Sequence, residues 1–217
     1  MMHVSPRNIF WGLLWTPFVV SGIFQVKNAL PRTIGHWGFV ETLSLLSAIG
    51  YAVFFLLIFF FTLTRLSRIS AAQGIWPRVV AAVGGFLPMT VASFPLHVLP
   101  VPLLAVSLAL IVAGSALAIY GVVNLGASFS IMSEARAVVT EGIYRFVRHP
   151  IYLFEDMALI GLFLQYISPY TAIIVFACLA LQIKRINNEE AVLQKSFPAE
   201  YASYKTRTTA RLIPGIY

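Results

Sequence analysis

The residues best equipped for chemistry stand in one short run, Glu141-Gly-Ile-Tyr-Arg-Phe-Val-Arg-His-Pro-Ile-Tyr152, between two apolar stretches. Gly142 permits a turn. Pro150 suits the first position of a helix, where a missing N–H costs nothing. A helix opening at His149/Pro150 would present free N–H groups and a positive dipole end beside Arg148, a site for a carboxylate or phosphate. The same residues would equally make a basic turn that binds lipid headgroups, and residue types alone leave both readings open. A second set lies at Lys184-Arg-Ile-Asn-Asn-Glu-Glu190. Glu189 is four residues from Arg185, on the same helix face. Isolated, such a pair is a solvated salt bridge. Beside an anion site, Glu189 would bind an amine or sugar hydroxyls and Arg185 a second anion. Glu155 and Asp156 fall about a turn and a half into the apolar run after Pro150. Carboxylates inside a membrane span are expensive and mark function by default, although a shallow pair would reach the headgroup zone. The two readings carry equal weight.

These residues need a scaffold, and composition says which kind. The chain has 217 residues, 59% hydrophobic and 11% charged, with mean hydropathy +0.84. Soluble domains carry about 25% charged residues, so the expected architecture is an all-α polytopic bundle in a membrane. Six spans are expected, over 9–26, 39–63, 79–97, 101–124, 151–167 and 170–186. The first is read as a retained span, kinked at Pro17, with Trp11 and Trp15 as interfacial anchors. Gly84, Gly85, Pro88 and Pro95 predict a bent third span. Ala113-Gly-Ser-Ala116 suits close helix approach in the fourth. The last span is expected to run on to Gln194, with a short amphipathic helix at 198–206. The chain divides into four N-terminal spans (1–124) and a core of loop, helical hairpin and C-terminal segment (125–217).

Charge placement sets orientation. With the N-terminus inside, all of the 15 Lys and Arg except Lys27 and Arg32 fall on inner segments, which puts both termini in the cytoplasm. The inserts 125–150 and 184–217 then share one face and meet at the base of the hairpin. The net charge of +7 is explained by topology and membrane lipids, and no nucleic-acid motif accompanies it. The single cysteine, Cys178, excludes an internal disulfide and reads as a packing residue. His36 and His97 read as surface residues, and the scattered histidines argue against a metal site. No GxGxxG, P-loop, HExxH or Ser/His/Asp order is present.

The pattern Leu125-Gly-x-x-Phe129, Val139-Thr-x-Gly-x-Tyr144-Arg-x-x-Arg148-His-Pro-x-Tyr152, Glu189-Glu-x-x-Leu193-x-x-x-Phe197-x-x-Glu200-Tyr201-x-x-Tyr204 and Arg211-x-Ile-Pro214 resembles the isoprenylcysteine carboxyl methyltransferase family. Related to it are the phospholipid N-methyltransferases. The resemblance covers about 125–217. It implies an integral membrane enzyme that uses S-adenosylmethionine. It also implies that Arg136, Val138, Val139 and Tyr144 line the cofactor pocket and that His149, Pro150, Tyr152 and Glu189 hold the cofactor. Arg185 matches the position that in the prenylcysteine enzymes faces the substrate carboxylate, and would be the catalytic residue that orients an anionic acceptor. Two departures stand out. Phe154 occupies a position that is often Gly, followed by Glu155-Asp156 on the acceptor side. Phe197-Pro-Ala-Glu-Tyr replaces the more usual Phe-Gly-x-Glu-Tyr.

Methyl transfer from a sulfonium is an in-line displacement, so orientation and partial desolvation can supply much of the acceleration. The expected acceptor is lipophilic, a carboxylate, thiol, amine or lipid headgroup. The short loops point to a bacterial or archaeal source, and the expected location is the bacterial inner membrane. Two alternatives are an NADPH-dependent membrane reductase of the sterol reductase type and a transporter or lipid-binding protein without a cofactor.

Overall fold

A computed structural model describes residues 6–35 and 38–215. His36 lies outside the described residues. The chain is mainly helix: α1 (Pro6–Leu13), α2 (Thr16–Gly35), α3 (Phe39–Thr64), α4 (Trp76–Phe86), α5 (Val101–Leu125), α6 (Pro150–Gln165), α7 (Pro169–Ser196) and α8 (Pro198–Arg207). The strands among the described residues are a two-residue antiparallel pair, β1 (Ser70–Ala71) and β2 (Glu134–Ala135).

Among the described residues, four segments are long and apolar enough to cross a membrane: Asn8–Leu30, Phe39–Thr64, Val101–Ser128 and Pro169–Ser196. The sequence predicts six spans, and the difference has physical causes. Where a third span is expected, α4 has 11 residues, a rise of only ~16 Å against ~30 Å of hydrocarbon. It passes into a 3-10 segment, Leu87–Ser93, that carries Pro88, and Pro removes a helical donor. The expected fifth span is α6, with 16 residues. The first span is broken at Leu14-Trp15 and not kinked at Pro17. Pro17 sits in the first turn of α2, where its lost N–H is harmless. Trp15, expected at the interface, is instead buried at this break and stacks on Phe86 at 5.5 Å.

The α5–α6 pair makes the most extensive helix contact. Its tightness comes from small residues. A Cβ on Gly114 would meet the Phe154 carbonyl at 2.7 Å and the Ala158 N–H nitrogen at 2.8 Å, and one on Gly161 would meet the Ser107 carbonyl at 2.6 Å. The buried Ser107 hydroxyl donates to the Gly161 carbonyl at 2.7 Å and accepts from Gln165 at 2.8 Å. α7 begins with a capping box, in which Ser168 Oγ accepts from the Thr171 N–H and Thr171 Oγ1 from the Ser168 N–H.

Loops gather at one end of the bundle. β1 pairs with β2, the Leu66 N–H bonds the Ala127 carbonyl at 2.8 Å, and Ser70 bonds Ser196. The Arg148 and His149 N–H groups donate to the carbonyls of Ala210 and Arg211, at 3.0 and 2.9 Å. The inserts after α3, after α5 and after α7 thus share one end, the arrangement that charge placement predicts. The His97 N–H marks the other end, bonding the Gln165 carbonyl at 2.8 Å.

Candidate functional site

The shared end is built around two adjacent carboxylates of α7 with different surroundings. Glu190 is buried and saturated. Its Oε1 accepts from Arg148 Nε at 2.8 Å and lies 3.3 Å from His149 Nε2, and its Oε2 accepts from Arg211 at 3.0 Å. Arg148 also donates to the carbonyls of Thr208 and Thr209 at 2.6 and 2.9 Å. This knot ties the chain after α8 to the start of α6. Arg148 is therefore committed to Glu190 and the tail, and the anion site that residue types suggest beside it is not free to form.

Glu189 lies on a cavity wall. It accepts a hydrogen bond from the Tyr152 hydroxyl, and its Oε2 is 3.9 Å from His149 Nδ1. The His149 ring stacks on Tyr152, 5.8 Å between centroids and 13° between planes. Arg185 also packs on Tyr152, its guanidinium 4.5 Å from the ring centroid. Arg185 is 4% exposed, and its Nε has no hydrogen-bond partner. Its stem passes Gly84, where a Cβ would meet Arg185 Cδ at 2.9 Å. That glycine lets α4 approach α7 and aim the guanidinium. Gln182, one turn earlier, donates to the Tyr152 carbonyl at 3.2 Å and to Asp156 at 2.8 Å, and accepts from Arg185 at 3.4 Å.

The cavity has a volume of about 1020 Å³. Polar residues Tyr144, His149, Tyr152, Glu155, Asp156, Gln182, Arg185 and Glu189 line one region. Trp15, Phe18, Phe55, Met89, Leu108 and Leu159 line an apolar region continuous with it. Glu155 and Asp156 stand level with Gly114, whose neighbours are Phe154 and Ala158. On α6 the two residues lie five and six positions after Pro150, about 8–9 Å along the axis from the start of the helix.

Of the residues that the sequence singles out, Val138, Val139, Tyr144, His149, Tyr152, Glu155, Asp156, Arg185 and Glu189 all line this cavity. Arg136 and Pro150 do not. Arg136 is buried behind the wall, donating to the Leu66 carbonyl and the Glu134 carboxylate, and Pro150 opens α6. Gly142 has φ +61°, and a Cβ there would fall 1.7 Å from Asn124 Oδ1, so the turn that presents Tyr144 requires glycine. Tyr204 donates to the Tyr144 carbonyl at 2.6 Å and holds that turn from α8. Burial pushes the phenols of Tyr144, Tyr201 and Tyr204 up from the usual tyrosine range, so all three stay neutral. Sequence reasoning missed Gln182 and the locking role of Glu190. A glutamine three residues before Arg185 on an otherwise apolar face is the signal that was available.

Residues 106–195 match the model of the Isoprenylcysteine carboxyl methyltransferase (ICMT) family. The match begins inside α5, earlier than the motif resemblance at 125, and ends at the last turn of α7. It contains both halves of the α5–α6 pair and the polar wall of the cavity up to Glu189. No curated protein matches the chain.

Proposed function

We propose that this chain, ICMT-like over residues 106–195, is an integral membrane methyltransferase. It would move a methyl group from S-adenosylmethionine to a lipophilic acceptor at the cytoplasmic face of a bacterial inner membrane. One observation carries the proposal: the cavity joins a polar, aromatic region at the loop end of the bundle to an apolar region among the helices. At about 1020 Å³ it reaches the upper range of ligand pockets, ~300–1,000 Å³. That leaves room for a cofactor that enters from water and an acceptor that enters from lipid.

The donor set fits the cofactor. Glu189 offers carboxylate oxygens for an amine or ribose hydroxyls, and His149 and Tyr152 offer flat faces, while Arg185 Nε, a buried donor without a partner, is left for the acceptor. Val138, Val139, Tyr144, His149, Tyr152 and Glu189 would hold the cofactor, with Arg136 and Pro150 shaping the wall from behind. Bound S-adenosylmethionine supplies an electrophilic methyl group on a sulfonium. The chain's own residues then position and exclude water. Tyr152 keeps Arg185 aimed through its ring, Gln182 fixes both Arg185 and Asp156, and Arg185 orients the acceptor. Apolar walls around the transfer point strengthen these electrostatic contacts.

Titration of the purified protein with S-adenosylhomocysteine and, separately, with NADPH tests this reading. Saturable binding of the first and none of the second is expected. Binding of NADPH alone would move the protein to the reductase class, and binding of neither would return it to a transporter or lipid-binding protein.

A further inference from the structure

The acceptor region has an unusual charge balance. The cavity is lined by three carboxylates, those of Glu155, Asp156 and Glu189. Two arginines line it, and Arg148 is committed to Glu190 and to tail carbonyls. Among the described residues, Arg185 is then the one lining guanidinium left to face three carboxyl groups. Arg185 is itself oriented away from a simple ion pair: its guanidinium lies over Tyr152, NH1 reaches Gln182, and Nε has no partner. Glu155 makes no hydrogen bond among the described residues, and Asp156 makes one, to Gln182. The pair lies on α6 where that helix packs closely on α5 at Gly114, in an apolar stretch where carboxyl groups without a matching cation call for a positive or proton-bearing partner.

From this we infer that the acceptor is a lipophilic primary or secondary amine, selected by Glu155 and Asp156, with an oxygen of the ligand taken by Arg185 Nε. The inference rests on the methyltransferase reading of the same cavity. A carboxylate acceptor would be placed against two carboxylates, and like charges juxtaposed at an interface cost several kcal/mol. An amine is attracted, and Glu155 has a free oxygen to take its proton. The transfer balances as follows. The ammonium first gives one N–H proton to the Glu155 carboxylate, and the lone pair so freed on nitrogen bonds the methyl carbon of the sulfonium donor. The carbon–sulfur bond breaks, and its electron pair leaves on sulfur as a neutral thioether. The product leaves as the methylated ammonium, and the proton held by Glu155 returns to water. The amine can come from a single-chain lipid or from the headgroup of a bilayer lipid, and the chemistry at Glu155 is the same.

The full-length protein in neutral detergent provides the test. Hexadecylamine, hexadecanoate and lysophosphatidylethanolamine are titrated while the fluorescence of Trp15, on the cavity wall, is followed against a Trp15→Phe control. Either amine ligand is expected to bind at least about tenfold more tightly than hexadecanoate. The preference should vanish in Glu155→Gln/Asp156→Asn, while S-adenosylhomocysteine binds that variant as it binds the parent. Should the double variant not fold, Glu155→Gln alone, isosteric and with no hydrogen bond to lose, should reduce the preference about threefold. A wild-type preference for hexadecanoate, or an amine preference that survives in the variants, overturns the inference. Amine preference without S-adenosylhomocysteine binding defeats the methyltransferase reading and leaves an amine-binding cavity. Mass analysis after incubation with S-adenosylmethionine shows whether the single-chain amine or the headgroup amine gains the methyl group.

Discussion

Glu189 and Glu190 are neighbours on one helix and have opposite surroundings. Glu190 has every oxygen engaged by Arg148, His149 or Arg211. Glu189 accepts one hydrogen bond, from Tyr152, has His149 Nδ1 3.9 Å away, and otherwise faces the cavity. The contrast separates a lock from a site. A buried charge whose partners are all protein groups contributes to structure, because removing any partner strands the others. A buried charge that faces space, next to an arginine with an unpartnered donor, is arranged for something that is not part of the chain.

The lock should therefore dominate stability. Glu190→Gln leaves Arg148 and Arg211 without their anion, and breaking a buried pair in this way costs about 3–5 kcal/mol. The expected result is a large fall in the melting temperature of the detergent-solubilised protein, together with earlier proteolysis of the segment after α8. A melting temperature within a degree of the parent would mean that the tail is not held by this carboxylate.

The next largest effect tests whether the site depends on the α5–α6 contact. Gly114→Val would press on the Phe154 carbonyl and Ala158 backbone, which cannot rotate away as a side-chain tip could. Overpacking of this kind costs about 1–3 kcal/mol, and it displaces the turn that carries Glu155 and Asp156. Reduced thermal stability and loss of acceptor binding are expected together. Loss of stability alone would separate the helix contact from the site.

What the sequence made legible follows from the range of the interactions involved. Long apolar runs identify α3, α5 and α7 because span length is a local property. The Ser168-Pro169 turn, the glycine at 142 and the small residues around Gly114 act on near neighbours and were readable too. The 3-10 segment after α4 and the break at Leu14-Trp15 were not, because uniform hydropathy hides where a helix stops. Trp15 was misplaced at the interface for a related reason: only Phe86, in another segment, shows that it turns inward. Within the site, spacing pairs Arg185 with Glu189 on one helix face. Spacing says nothing of Arg148, whose partners Glu190 and Thr208 are 42 and 60 residues away. The suggested anion site beside Arg148 failed because a residue type cannot reveal that its charge is already matched.

A smaller effect is expected from the tyrosines that brace the lock. Tyr144, Tyr201 and Tyr204 have phenols held above the usual range by burial. In the unfolded chain they ionise near pH 10, while in the folded protein they keep their protons. The folded state then binds more protons than the unfolded one, and stability falls as pH rises past 10, by about 1.4 kcal/mol per pH unit for each phenol. Below pH 9 the three contribute no pH dependence. Tyr204→Phe should remove one third of that alkaline slope while also losing the bond to the Tyr144 carbonyl. Thermal melts from pH 8 to 11 would measure it, and an unchanged slope in the variant would place this phenol in contact with water.

The smallest change in stability should come from Glu189→Gln, and it is the sharpest test of the contrast with Glu190. The amide can still accept from Tyr152, so the fold loses at most about 1 kcal/mol. If the cavity holds S-adenosylmethionine, the lost negative charge should weaken S-adenosylhomocysteine by about tenfold or more. Arg185→Ala should lower the melt, because it removes a buried guanidinium from Tyr152, Gln182 and the carboxyl groups beside them, and should retain S-adenosylhomocysteine binding with turnover down about 100-fold through lost orientation of the acceptor. Arg185→Lys should recover only part of it, since an ammonium does not reproduce a planar fork stacked on Tyr152. The two neighbouring glutamates would then fall on opposite corners of a plot of stability against ligand affinity. If Glu189→Gln instead melts like Glu190→Gln and binds ligand normally, the cavity-facing carboxylate is a second lock, and the site must be sought around Glu155 and Asp156 alone.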